Sequence, residues 1–487
     1  MNTSWVQRHS SVLGDMEFTG DFPGTIPASR ELEESLRKPC EFAESCGNTG
    51  ESARLGFNGF MVDHANVLIA GGGIIGSSLA WALASRGIDG VVVADLDLNG
   101  IYASSELNAG GARATWWQPV NIESCKATLE FFREHAEYFG FRARGYLWLY
   151  DDPSLYERAL KKRTLQNEHG LGVEALQPSE VGERFPLLDR NMHEIVGATF
   201  SPFDGLINPN AVRRWYRERA EELGVVFCNR HYIAGVTTQR TSDSAGRRRR
   251  VSGVEIVRVK KATLERDELD LREILTRHNL RSDLREEEFH LSCDTLVNCL
   301  GAWSPIFSAK IGIHDVSEPV RRQISLVGVH KEDLRADVDL ESLGMIVDPS
   351  GLYFHPEGSH ILAGYSTPSE APGFDFEYEG EDFFEQEIWP RLAHRSSSFE
   401  RCGHVRGWAG LYAVTPDCSG IASAVSGWSN LFEAHSFTGR GVMQSYSVGQ
   451  SMAALVDTGR FEHVDLGPMS RDRFADPARL IPEDLHI

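Results

Sequence analysis

The chain lacks paired cysteines. Its eight stand apart at 40, 46, 125, 228, 293, 299, 402 and 418, with no C-x-x-C spacing. Scattered thiols exclude a disulfide framework and a cysteine-based zinc site, so no metal is expected, and they point to a reducing compartment. No apolar run approaches the roughly 20 residues of a membrane span. Positive charge is scarce as well: 49 Lys+Arg stand against 70 Asp+Glu, a formal net charge of −21. That balance argues against nucleic acid and acidic membrane surfaces as partners. The main basic run, "GRRRR" at 246–250, lies in a Ser/Gly-rich stretch and reads as a solvated loop. Asp15, Glu17, Asp21, Glu31, Glu33 and Glu34 make the first residues too acidic for a secretory signal or a mitochondrial transit peptide. A cytoplasmic location is expected. No internal repeat is visible.

What is present suits a globular chain of two or three domain-sized units: 487 residues, 41% hydrophobic and 24% charged. Residues 1–63 read as a partly disordered extension with a short helix near 29–39. "ANVLIA", "GGGIIG", "SSLAWALASRG" and "GVVVADLD" then read strand, glycine turn, helix, strand. A charged helix is expected near 153–169 and another from Pro209 to Gly224. Residues 238–289 read as a charged, exposed insertion. Residues 316–405 look strand-rich, and 431–457 read strand, glycine loop, long helix.

Gly71, Gly73 and Gly76 form G-x-G-x-x-G directly after a strand. The first permits a tight turn, the second lets backbone approach a pyrophosphate, and the third lets helix and strand pack. The helix start, with Ile74 and Ile75, offers unpaired N–H groups and partial positive charge to that anion. Asp95 ends the next strand, where a carboxylate accepts from a ribose hydroxyl and disfavours a 2′-phosphate. The motif by itself serves nicotinamide and flavin dinucleotides alike.

Five ordered blocks go further: "YASSELNAGGARATWWQPVNIE", "DGLINPN", "DTLVNCLGAWS", "WAGLYAVTPD" and "FTGRGVMQSYSVGQSMAAL". Together with the glycine motif they resemble the D-amino-acid oxidase, glycine oxidase and sarcosine oxidase superfamily of FAD enzymes, from residue 66 to about 460. "DFFEQEIWPRL" leading into "GWAGLYAVTPD" is most similar to a branch of mitochondrial flavoproteins linked to respiratory complex I assembly, and to its bacterial relatives.

The resemblance implies an α/β fold: a Rossmann-like FAD-binding domain (64–140, 201–237, 290–315 and 405–460) and a mixed-sheet α+β substrate domain (141–200 and 316–404). The tail is then 461–487. It assigns FAD to Gly71, Gly73, Ile74, Ile75, Gly76, Asp95, Ser104, Ser105, Asn108, Gly110, Gly111, Gly301, Gly439, Arg440, Gly441 and Val442. Family positions that can carry a covalent flavin correspond to Gly410 and Asn108, which form no such bond, so non-covalent FAD is expected. Relatives read G-H-G where this chain reads Gly439-Arg440-Gly441. Met443 and Leu362 replace lysines that sarcosine oxidases use, which argues against fast reaction with oxygen.

Three residues are candidates for the chemistry. Arg113, beside Trp116 and Trp117, is a guanidinium suited to a substrate carboxylate, or to an FAD phosphate or a surface acid. Tyr353 shares a strand face with His355 and reads as a hydroxyl donor or an edge-of-core tyrosine; His355 alone reads as structural. Arg440 is expected at the flavin pyrimidine edge, or else outward and paired with an acid such as Glu433. Of Arg321 and Arg322, at most one faces the pocket. The implied reaction is oxidation of a C–H next to nitrogen, by hydride transfer to flavin N5, in a small amine or amino acid. Alternatives are a 2-hydroxy-acid dehydrogenase, whose base would be His355 or His435, and an assembly flavoprotein using the extension and insertion as partner surfaces. The electron acceptor stays open.

Overall fold

The computed structural model describes residues 55–57, 60–243, 246–265, 268–367 and 370–483. Most of the expected extension, including the helix near 29–39, lies outside them; Leu55–Phe57 and Phe60–Val62 pair antiparallel.

The nucleotide-binding layer begins with β1 (His64–Ala70), α1 (Ile74–Ser85) and β2 (Val91–Ala94). Leu68, Ile69 and Ala70 are fully buried, because a parallel strand covered on both faces must be apolar on both. Helix α2 (Pro119–Glu134) follows, then β3 (Arg285–Asn298), β4 (Leu431–His435) and α3 (Gly441–Thr458). Strand Val226–Cys228, β2, β1, β3 and β4 are all parallel neighbours in that order. Helices α1 and α3 touch closely: Ser78 Oγ–H donates to the Ser445 carbonyl at 2.8 Å, and a Cβ on Gly449 would collide with Ser78. On α2, Phe131 stacks on Tyr446 of α3 with centroids 4.3 Å apart.

The charged segment departs from expectation. His231–Asp243 and Gly246–Val259 form a long antiparallel hairpin that adds to β3 and so belongs to the sheet. "GRRRR" is therefore strand, not a solvated loop. Its arginines are used singly: Arg249 lies 4.3 Å over the Trp428 ring, and Arg250 pairs with Asp294 at 3.3 Å. Helix Glu268–Arg277 exposes Arg277, yet buries Leu271 and Ile274 three residues apart. The insertion reads as exposed in sequence because charges outnumber these two anchors.

A second eight-stranded sheet runs, in spatial order, Gly403–Val414, Glu318–Gly328, His360–Tyr365, Leu352–Glu357, Met345–Val347, Tyr146–Tyr150, Gly197–Ser201, Glu174–Leu176. It is antiparallel except where Met345–Val347 meets Tyr146–Tyr150. Alternation divides its faces. Leu147 and Leu149 enter its own core with Phe354 and Phe399. Tyr146, Trp148, Tyr150 and Tyr353 form the other face, packed against Trp117 and Leu206. A Rossmann-like layer and a second mixed sheet, as expected, make up the fold.

Candidate active site

A cleft opens at the C-terminal ends of the parallel strands, where ligands of such sheets bind. Gly71 sits at φ +102°, a left-handed conformation, and a Cβ there would come 2.5 Å from the Cys299 carbonyl oxygen. A Cβ on Gly76 would collide with the Gly71 carbonyl. Gly73 differs: its Cβ would meet only Ser105 Oγ, at 3.2 Å. Its bareness serves no packing need and leaves room above the first turn of α1, where the Ile74 N–H donates to Ser105 Oγ at 3.2 Å. Gly71, Gly73, Ile74 and Ile75 line the cleft, whereas Gly76 is buried beneath it.

Asp95 lines the cleft at the end of β2. Its carboxylate accepts from the N–H of Gly72 at 2.5 Å and of Asp97 at 2.8 Å, and burial raises its pKa despite those bonds. Each oxygen retains a further lone pair. Ser104, Ser105, Asn108, Gly301, Gly439, Gly441 and Val442 also line the cleft. Gly110 and Gly111 do not, contrary to expectation. A Cβ on Gly110 would lie 2.5 Å from the Ile207 carbonyl, and one on Gly111 would strike the Tyr146 hydroxyl, so these glycines permit close packing behind the cleft.

The wall leading into α3 is strained. Ser436 (φ 58°), Thr438 (φ 46°) and Gly439 (φ 81°) all occupy the left-handed region. Non-glycine residues there cost about 1–3 kcal/mol each and persist where the surroundings over-determine them. Nothing in the composition of "HSFTGRG" signals this. Sequence reading also missed Arg213, which lines the cleft, donates to the Leu98 carbonyl at 3.0 Å and pairs with Glu106.

Arg440 is not at the cleft. Its side chain is fully buried, its guanidinium carbon 4.1 Å from the Trp116 ring centroid, and Nη1 donates to the Cys418 carbonyl. Its Nε and Nη2 have no hydrogen-bond partner. It does not pair with Glu433 either, because Arg471 and His435 take that carboxylate. The backbone turn of Gly439 aims residue 440 away from the cleft.

Arg113 is 3% exposed and, like Arg440, does not line the cleft. Its guanidinium carbon lies 3.5 Å from the Trp116 centroid and 4.7 Å from that of Trp148 on the second sheet, and its Nη1 donates to the Thr115 carbonyl at 3.3 Å. Burial lowers its pKa to about 10. Asp204, behind it, accepts from Ala114 N–H at 2.7 Å and Thr115 Oγ1 at 2.6 Å. Tyr353 does not line the cleft; it is buried over Gly364 in the cluster with Tyr146 and Trp148, and burial pushes its pKa up. His355 contacts the Ala109 carbonyl through Nε2 at 2.7 Å, joining the second sheet to the Asn108–Gly111 loop. Arg321 is taken by Glu370, Asp375 and Glu379. Arg322 instead lies 5.2 Å over the ring of Tyr412, a cleft residue.

The residues present fit FAD. The space above Gly73, the start of α1 and the Asp95 carboxylate suit a dinucleotide's pyrophosphate and ribose. The start of α3 suits a ring on which negative charge grows.

The comparisons agree with that fit. The chain matches the family described as FAD dependent oxidoreductase (DAO) over residues 66–455. It is 28% identical over 447 residues to FAD-dependent oxidoreductase domain-containing protein 1 of Bos taurus, with 85% of each chain covered. Over 475 residues it is 23% identical to mitochondrial dimethylglycine dehydrogenase of Homo sapiens, covering 91% of this chain and 49% of that one. Among solved structures it is similar to L-proline dehydrogenase from P. horikoshii (TM-score 0.67, 20% identity, 85% of this chain and 99% of that one). Glycine oxidase from Geobacillus kaustophilus gives a TM-score of 0.64 at 21% identity, with 84% and 98% covered. Such distant likenesses speak for the fold; the family match, spanning most of the chain, speaks for the class: this chain belongs to the FAD dependent oxidoreductase family.

Proposed function

We propose that the chain oxidises a C–H bond next to nitrogen in a small amino acid or secondary amine, with FAD held non-covalently. Bound FAD supplies the two-electron acceptor. The observation that carries the substrate class is Arg113: a guanidinium buried between Trp116 and Trp148, where the second sheet faces the nucleotide layer. Its Nη1 donates to the Thr115 carbonyl at 3.3 Å, and a cation desolvated among aromatics favours an anionic partner such as a carboxylate. Trp116, Trp148 and Tyr146, all buried, exclude water around it. Non-covalent retention follows from Gly410, which carries no side chain, and from Asn108, whose amide is spent on Ser105 O and Gly110 N–H.

An amine substrate is favoured over a 2-hydroxy acid because the latter needs a base for its hydroxyl proton. The two histidines considered for that role are engaged: His355 with the carbonyls of Ala109 and Pro356, His435 with Ser436 and Glu433. Stopped-flow reduction of the bound flavin by amino acids, N-methyl amino acids and 2-hydroxy acids tests the reading. Arg113→Met should raise KM for the carboxylate substrate about 10- to 150-fold, the equivalent of about 1.5–3 kcal/mol for a charge-assisted bond. Reduction by hydroxy acids alone would overturn it. Acid precipitation should leave FAD in the supernatant.

A further inference from the structure

The two arginines of "PVRRQ" are used differently. They are neighbours on strand Glu318–Gly328, so their side chains leave opposite faces of the second sheet. Arg321 is held by Glu370, Asp375 and Glu379. Arg322 has no carboxylate partner among the described residues. It is half-buried, its Nη1 donates to the Arg321 carbonyl at 2.9 Å, and its buried Nε has no hydrogen-bond partner.

Register fixes the face that Arg322 takes. Ile324, two residues on, pairs with Gly364, and Gly364 pairs with Tyr353. Tyr353 pairs in turn with Val347, and Val347 with Trp148. Residues opposite each other across strands share a face. Arg322 therefore lies on the face of Tyr353, Trp148 and Tyr146, the one packed against Trp117 and Leu206 of the nucleotide layer. At its end of that face stands Tyr412, which lines the cleft where Gly439 makes room for its ring, and over which Arg322 lies at 5.2 Å. Tyr353 feels Tyr412, Arg322 and Tyr146 electrostatically, and Tyr146 feels Arg113 and Tyr412. Three tyrosines thus connect Arg322, beside the start of α3, with Arg113, beside Trp148. Four strand spacings, about 19 Å at the backbone, separate the strand of Arg322 from that of Trp148. At that separation the two guanidiniums serve two different groups, not one.

We propose that Arg322 is a second anion-binding position of the substrate chamber, and that the amine oxidised here carries two carboxylates, one for Arg113 and one for Arg322. The inference rests on the amine reading above, with Arg113 as the first anchor. A guanidinium lying over an aromatic ring keeps its in-plane N–H donors for a carboxylate. A substrate with one carboxylate leaves Arg322 without an acid, whereas a diacid satisfies both cations.

Stopped-flow reduction of the FAD-loaded protein tests this with N-methylglycine and with glycines bearing a 2-carboxyethyl or 3-carboxypropyl group on nitrogen. The better diacid should show a KM at least about tenfold below that of N-methylglycine, the scale of one charge-assisted bond. Arg322→Met should bring the two KM values to within about twofold of each other. Arg322→Lys, which keeps the charge without the fork, should restore part of the difference. Arg113→Met should raise KM for both compounds. Binding is read separately, from the change in flavin absorbance with glutarate and with butyrate, neither of which carries an amine. Glutarate should bind the parent more tightly than butyrate, and Arg322→Met should bind the two alike. No preference for the diacid in the parent, or a preference that survives Arg322→Met, overturns the proposal. If no amine reduces the flavin, the amine reading fails, and the comparison of glutarate with butyrate still decides whether Arg322 holds an acid.

Discussion

Arg113 and Arg440 share one indole. Their guanidinium carbons lie 3.5 and 4.1 Å from the centroid of Trp116, so two buried cations meet at a single ring. The acids closest in influence are Asp204, bound into the backbone behind Arg113, and Glu483 from the C-terminal segment. Each of these groups has a measurable consequence.

Arg440→Met should fold normally and melt at or above the parent temperature. A fully buried guanidinium with Nε and Nη2 unpaired carries a desolvation cost that an apolar side chain of similar length avoids. Arg440→Ala should instead lose about 2–4 kcal/mol by leaving a cavity. Urea unfolding of the two variants separates the terms, and a large loss in Arg440→Met would mean that the charge itself is used.

Asp204 gives stability a pH dependence. Burial holds its native pKa at about 6 against an ordinary 3.8. Between those values the native state keeps a proton that the unfolded chain has released, so this group makes stability fall as pH rises from about 4 to 6. The full cost above that window is about 3 kcal/mol. Asp204→Asn should remove that slope, which denaturant midpoints at pH 4.5, 5.5 and 7 will show.

Glu483 caps α2 from a distance of more than 300 residues in sequence. Its carboxylate accepts from Trp117 N–H at 2.9 Å, Gln118 N–H at 3.1 Å and Asn121 Nδ2 at 3.1 Å. Ending the chain after Leu480 should cost about 1–3 kcal/mol, because buried donors lose a charged acceptor at a helix start. Glu483→Gln should cost less. Thermal melts check both.

Gly73→Val and Gly76→Val should fail differently. The first adds bulk facing only Ser105 Oγ, so the chain should fold with a near-normal melting temperature and bind no FAD. The second drives a side chain into the Gly71 carbonyl and should lower stability by at least about 1–3 kcal/mol. Melting of the FAD-free chains and flavin absorbance per protein distinguish the two.

The opening βαβ unit, the strand–loop–helix that ends in α3 and the family were legible from the residues alone. All of these rest on local constraints. A strand buried on both faces must be apolar throughout, as HANVLIA is from Val67 onward, and only glycine takes φ +102° at Gly71 or leaves room under Gly76. Tertiary structure decided the rest of the candidate site. Arg440 turns away from the cleft because the strained turn from Ser436 to Gly439 aims it at Trp116. Gly110 and Gly111 serve packing because Tyr146 and Ile207 arrive from distant segments. His231–Asp243 and Gly246–Val259 became sheet because β3 offered them an edge, and Leu271 with Ile274 found a core. His355 meets Ala109 across 246 residues, and Glu483 reaches α2 from the far end of the chain. Composition and periodicity record which residues are apolar or charged, but a contact between distant segments depends on where the sheets place them.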